Sequence, residues 1–252
     1  MKRLWNALIS LQLSLWLLAL LCLAMAAGSF LLKGEQGAAI NFMPFFAWLM
    51  QTPVSHSWWL WLTLVLLALV VITTLLCSWD AVMARWRRIG FIALIAPQLV
   101  HAGFLLIVAA HLISALGSSV QQFEVHQGEL LQLPDGQPFG VAAITVQGSP
   151  MGMPLGFSAE LVTDLRNPSQ RVTISPNHPW FSEGYGVYIK QAVNAPYPRA
   201  LLEVHREPGA GMALSGAIAF VIGNLLVLWL RSKRDGDMRG KTDGSADEET
   251  TD

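Results

Sequence analysis

Charge is scarce in this chain. Of its 252 residues only 13% are Asp, Glu, Lys or Arg, while 53% are hydrophobic, and the mean hydropathy is +0.46. A soluble globular domain carries about 25% charged residues, so the composition excludes an ordinary soluble protein and points to a membrane protein. Cysteine is scarcer still, with Cys22 and Cys77 the whole complement. There is no C-x-x-C, which disfavours a thiol oxidoreductase, and no C-x-x-C-H, so the chain does not bind c-type haem covalently. The two cysteines fall at different depths of their apolar stretches, which argues against a disulfide, and both read as small packing residues. Glycine-rich phosphate loops, serine-hydrolase and zinc-hydrolase motifs and internal repeats are all missing. A binding or handling protein fits this inventory better than a self-sufficient catalyst, and no nucleic-acid partner is expected.

What is present is four long apolar stretches, over residues 4–32, 57–79, 89–117 and 209–230. Each reaches the roughly 20 residues that cross a ~30 Å hydrocarbon core, and backbone groups in lipid must pair within the segment, so each is expected to be a helix. None contains Asp or Glu, which weakens a proton- or ion-pump reading. Lys2 and Arg3 precede the first stretch. Arg85, Arg87 and Arg88 link the second to the third, and Arg231, Lys233, Arg234, Arg239 and Lys241 follow the fourth. Four spans put these three clusters on one side, which the positive-inside rule makes cytoplasmic. The expected protein is a multi-pass membrane protein with both termini cytoplasmic. Its first stretch reads as an anchor rather than a signal peptide, because the apolar run is too long.

Between the third and fourth stretches the chain changes character. FEVHQGELLQL, GVAAITVQG, FSAELVTDL, QRVTIS, GVYIKQAV and ALLEVHRE mix β-branched and aromatic residues with polar ones. PDG, GSP, RNPS, SPNHP and NAPYP separate them. Short strands with such punctuation predict a small antiparallel β domain. The expected organisation is therefore 1–117, three transmembrane helices with a short external loop 33–56; 118–208, an external β domain; 209–231, a fourth transmembrane helix; and 232–252, a polar, disordered cytoplasmic tail. Within the loop, INFMPFFAWLM is apolar but too short to span, and reads as an interfacial segment. Trp58, Trp59 and Trp61 read as an aromatic belt.

The third stretch, LIAPQLVHAGFLLIVAAHLISALG, holds two imidazoles. At 1.5 Å per residue His101 lies about 18 Å into the span, close to the midplane, and His111 about 15 Å further, near the outer face. The two are turned about 80° apart around the helix, so one metal cannot bind both, and each needs a partner from elsewhere. For His101 an interhelical hydrogen bond and metal ligation are both open. For His111 the hydrogen bond is favoured, and His56, at similar depth before the second span, is a candidate to pair with it. His126, His178 and His205 read as ordinary polar residues of the outer domain.

Two motifs carry a resemblance. VHAGFLLIVAAHLISALG is similar to the third span of the ResB-like (CcsB) family of System II cytochrome c biogenesis proteins. NHPWFSEGYGVYIKQA resembles that family's periplasmic signature, with Asn177, Pro179, Gly184, Tyr185, Tyr188 and Gln191 at the matching positions. The resemblance implies a subunit that works with a ResC/CcsA-like membrane subunit. The complex would carry haem, bound transiently and without a covalent bond (b-type), across the membrane for attachment to apocytochrome c. It implies haem-lyase chemistry for the complex rather than for this chain alone. His101 is the residue that matches as a haem axial ligand; His111 and His56 are weaker candidates. Two other readings stand beside it: a b-type haem anchor of a quinol-linked enzyme, which needs a histidine pair at matched depth such as His56 with His111, and a structural assembly subunit without haem.

Overall fold

A computed structural model describes residues 2–32, 39–40, 43–148, 154–194 and 196–248. The chain divides into two compact units. One joins Met1–Lys33, Thr52–Leu112 and Gly209–Asp252; the other joins Gly34–Gln51 and Ile113–Pro208.

Among the described residues the helical unit holds four helices long and apolar enough to cross a membrane. The first apolar stretch is broken in two. Helix α1 spans Lys2–Leu8 and α2 spans Leu11–Leu31, with Ser10 extended at φ −72°, ψ 127° between them. Serine favours that conformation before a helix, although its hydroxyl makes no cap bond here. Helix α4, Val54–Arg85, begins after Pro53 and passes six residues beyond the expected end at Trp79, taking in Asp80. Its 32 residues measure about 48 Å, more than a bilayer core. Helix α5, Phe91–Gly117, contains Pro97. Lacking an N–H, Pro97 leaves the carbonyl of Ala93 without its helical donor. The last helix, α6, runs Ala210–Glu248, and Ala210–Arg234 is the portion long and apolar enough to span. The helix therefore continues through 232–248, residues expected as a disordered tail, because extending an existing helix skips the costly nucleation step. Residues 249–252 lie outside the described residues.

Two kinds of contact hold these helices. Leu17, Leu21 and Ala24 of α2 meet Leu66 and Val70 of α4 in one apolar cluster. Elsewhere glycine lets neighbours close in. A Cβ on Gly28 would collide with the Trp59 ring. On Gly103 it would lie 2.5 Å from the backbone nitrogen of Phe220 and 2.7 Å from the carbonyl oxygen of Gly216. On Gly223 it would lie 2.7 Å from the nitrogen of Val100. Helices α5 and α6 thus pack backbone against backbone, as small residues permit where lipid removes the hydrophobic drive for association. Most of the unit's large apolar side chains, Leu11, Leu15, Val65, Leu75, Ile92, Leu214 and Leu225 among them, face outward. Such a surface marks a membrane protein.

The second unit is a β-sandwich. Strands β1 (Ser119–His126), β8 (Arg199–Arg206), β7 (Tyr185–Val193) and β6 (Trp180–Ser182) form one antiparallel sheet in that order. Strands β2 (Leu130–Gln132), β3 (Pro138–Gly148), β4 (Pro154–Val162) and β5 (Arg171–Ile174) form the other. Side chains alternate faces along a strand, so Ala200, Leu202 and Val204 of β8 enter the core while Leu201, Glu203 and His205 point away. The core joins both sheets through Val125, Val141, Leu161, Ile174, Val187 and Leu202, all at most 1% exposed, each burial stabilising by about 1.5–3 kcal/mol. These are the antiparallel sheets expected between the third and fourth apolar stretches. The loop segment behaves differently from the expected surface-lying one. Helix α3, Phe45–Gln51, belongs to this unit, with Trp48 and Leu49 buried in the protein. Residues 33–38 and 41–42 of that loop lie outside the described residues.

Candidate functional site

His101 stands ten residues, about 15 Å, beyond the start of α5. Its ring is half-buried, and Nδ1 lies 2.7 Å from the Ser78 hydroxyl of α4. That sets the imidazole level with a position two residues before Asp80, the charge that closes the apolar stretch of α4. Nε2 has no hydrogen-bond partner among the described residues. One face of α5, through Val100, Gly103 and Ile107, is closed against Gly216 and Gly223 of α6, so the helix carrying His101 is gripped from two sides. Ser78 escaped the sequence reading: nothing local distinguishes it from the other helical hydroxyls, and only folding brings it to a residue 23 positions away.

His56 and His111 are not joined. Both are exposed; His56 Nδ1 is 3.1 Å from its neighbour Ser55 Oγ, and no hydrogen bond to His111 is found among the described residues. No group of three or more His, Cys, Asp or Glu able to hold a metal occurs among them either. The tryptophans also part company. Trp58 and Trp61 are exposed, as a belt requires, but Trp59 is buried against Gly28, its indole N–H without a partner among the described residues. Cys22 and Cys77 are both free thiols.

In the sandwich the NHPWFSEGYGVYIKQA motif folds into a hairpin. Ser182 pairs with Tyr185, leaving Glu183 and Gly184 as a two-residue turn at φ 47° and 82°. Two consecutive positive φ values are what a type I′ hairpin turn needs. Asn177 adopts φ 68°, where asparagine is better tolerated than most residues. Beyond the turn Tyr185 enters the core, and the Tyr188 ring lies 5.0 Å from the ring of His205, tilted 53° to it. Gln191 follows the irregularity between Ile189 and Gln191 that shifts β7 against β8.

On the outer face of that sheet lies a polar cluster that the sequence reading missed. Glu203 is only 6% exposed. Lys190 Nζ reaches it at 2.7 Å, Gln122 Nε2 donates to it at 2.7 Å, and His205 Nε2 donates to it as well. Burial by itself would raise this carboxyl. The hydrogen bonds from Lys190, Gln122 and His205, with the positive charge of a protonated His205, outweigh it and hold the group at about 2. The L-E-V-H alternation of 202–205 was the available signal, since it puts Glu203 and His205 on one face. His205 is thus no ordinary polar residue. His126 and His178 are: His126 Nδ1 is 3.6 Å from Glu129 on the surface, and His178 only bridges back to Ser175.

A carboxyl depressed from 4.5 to about 2 stabilises the fold fully above pH 4.5. That contribution is lost as pH falls from 4.5 through 2, where the unfolded chain takes up the proton first. The thermal unfolding midpoint of the sandwich should therefore fall as pH is lowered from about 4.5 to about 2. In Glu203→Gln that slope should be flatter; an identical slope in both proteins would mean that the cluster does not titrate as described.

No protein-family model matches the chain, and no curated protein matches it. Among solved structures it is similar to "Cytochrome c Heme Lyase CcmF", with a TM-score of 0.44 and 16% identity over 84% of this chain and 34% of that one. The chain thus spans about a third of that protein's length.

Proposed function

We propose that this chain is the ResB-like subunit of a System II cytochrome c maturation complex. Haem is its cargo, moved across the cytoplasmic membrane with a ResC/CcsA-like subunit and handed to apocytochrome c. The observation that carries the reading is His101: an imidazole within an apolar helix, held at one nitrogen and unbonded at the other among the described residues. This donor set suits one axial position on haem iron and leaves the opposite one to the partner subunit. Histidine ligation holds haem and tunes its iron, and an apolar route spares its flat body from water. The residues of this chain bind and orient; the bond-forming step belongs to the complex. His111 and His56 have no role in this scheme beyond their helix ends.

In this reading the sandwich lies on the periplasmic side and both termini in the cytoplasm, as the clusters of Lys and Arg indicate. The signature hairpin, anchored by Tyr185, shapes the sandwich surface that braces the partner or receives the apocytochrome. A single cysteine at position 164 or 194, in a Cys22→Ser, Cys77→Ser background, should react with an impermeant thiol reagent added from outside to whole spheroplasts. Reaction only after the inner face is opened would reverse the orientation. The function itself is tested by haem content. The co-purified pair should hold haem that this chain alone does not retain. Stable haem with two histidine ligands on this chain alone would favour the b-type anchor instead, and no haem in the pair would favour a purely structural subunit.

A further inference from the structure

The sandwich has four edge strands, and three of them are short. Strands β2 and β6 have three residues and β5 has four, whereas β1 has eight. An open edge is a template for pairing with another chain, and proteins blunt it with short strands, bulges, proline or lysine. Strand β1, SVQQFEVH, has neither proline nor lysine, and it pairs with β8 from Ser119 to His126 without a shift of register. The hydrogen bonds of its last residue show which groups are open. The His126 N–H donates to Glu129 Oε2 at 2.8 Å, and its carbonyl accepts from the Glu129 N–H at 3.2 Å. His126 therefore turns its backbone away from β8. That direction alternates along an antiparallel pair, so Val120, Gln122 and Glu124 also point their N–H and C=O groups away from β8. These groups have no backbone partner among the described residues.

We propose that this edge takes up an extended, basic segment of another polypeptide as a fifth antiparallel strand, with a Lys or Arg of that segment seated in the cleft beside it. Val120, Gln122 and Glu124 pair with His205, Glu203 and Leu201, so their side chains lie on the outer face of the sheet. A strand added to them sets every second side chain over the same face. A cleft of about 410 Å³ lies there, and its lining includes Met43, Val120, Gln122, Glu203, His205 and Glu207. Charge decides what enters it. Glu203 is paired with Lys190 and His205, and Glu124 with Arg199. Arg206 lies over the Tyr185 ring. Glu207 has no ion pair among the described residues, which leaves the cleft with an uncompensated carboxylate. Met43 and Val120 suit the aliphatic stem of a long basic side chain, and the carboxylate suits its head. In strand addition the main-chain hydrogen bonds supply affinity and such a cleft supplies preference. In the function proposed above the apocytochrome is the polypeptide that supplies the segment; the docking edge itself does not rest on that reading.

The probe is a short fluorescent peptide alternating lysine and threonine, added to the full chain in detergent, with its affinity read by anisotropy. It should bind saturably, and a glutamate–threonine peptide should not. The lysines over the cleft are the residues whose N–H groups face β1. N-methylation of the lysine backbone nitrogens should therefore abolish binding, while N-methylation at the threonines should spare it. Glu124→Pro removes an outward N–H without touching the β8 ladder, a place where edge strands tolerate proline. It should weaken binding about tenfold, with the unfolding midpoint of the sandwich near wild type, and Glu124→Ala should bind as wild type does. Glu207→Gln should weaken binding about threefold. Absence of binding, or equal loss from methylation at either set of nitrogens, overturns the proposal without relying on any variant. Wild-type affinity in Glu124→Pro does the same, and wild-type affinity in Glu207→Gln overturns the seating of the basic side chain. Peptide binding by a chain whose co-purified pair holds no haem would overturn the haem reading and leave the docking edge standing; haem in the pair without peptide binding would do the reverse.

Discussion

His101→Ala is expected to strip haem from the co-purified complex and to stop c-type cytochrome formation, while the two subunits still assemble. The substitution removes one interhelical hydrogen bond, to Ser78, and such a bond is worth only about 1 kcal/mol in a bilayer. The apolar cluster of α2 and α4 and the glycine contacts of α5 and α6 do not involve this ring, so the fold survives. Ligation is another matter. With no other histidine to replace it among the described residues, haem retention should fall more than about tenfold, since loss of a mere supporting hydrogen bond already costs that much. Added imidazole should restore part of the function by filling the vacated place beside Ser78. His111→Ala should be milder, because that ring is exposed and makes no hydrogen bond among the described residues. If His101→Ala leaves both haem content and cytochrome formation at wild-type levels, the imidazole only ties α5 to α4.

Gly103→Val should do the opposite kind of damage: haem and assembly should be lost together. A Cβ at this position would meet Phe220 N at 2.5 Å, Gly216 O at 2.7 Å and Phe220 Cα at 2.8 Å. All three are backbone atoms of α6, so no side chain can swing aside, and the helices must part. Overpacking of this sort costs about 1–3 kcal/mol, and separation also forfeits the contacts of Gly216 and Gly223. The unfolding midpoint in detergent should drop clearly. Gly211→Ala is the control: it lies on α6 itself, its Cβ would meet nothing within 4 Å, and exchanging glycine for alanine in a helix stabilises by up to about 1 kcal/mol. A Gly103→Val protein that melts with wild type would refute close backbone packing of α5 on α6.

Much of this architecture could be read from the chain. Four apolar lengths marked the long helices, and a period of two between turn residues marked the strands, because both signals are local. Helix ends were less legible. Hydropathy stops at Asp80, but helical hydrogen bonding runs on to Arg85, since the backbone ladder is indifferent to side-chain polarity. The opening apolar run hid a break at Ser10, where a single extended residue interrupts the ladder without altering hydropathy.

The histidine in an apolar helix, the hairpin motif and the basic clusters were likewise determined by sequence alone, as they are properties of neighbouring residues. Tertiary structure decided the partner of each polar or aromatic group. Trp59, read with its neighbours as belt, turned inward onto Gly28, and Trp48 was buried rather than laid on a surface. Glu203 gained Lys190 and Gln122 only because β7 and β1 flank β8, and Gln122 is 81 residues away in the chain. His101 gained Ser78 only because α4 and α5 return alongside each other. Element type follows from spacing over a few residues, but which group satisfies a buried donor or charge depends on register and packing between elements distant in sequence, which no local pattern encodes.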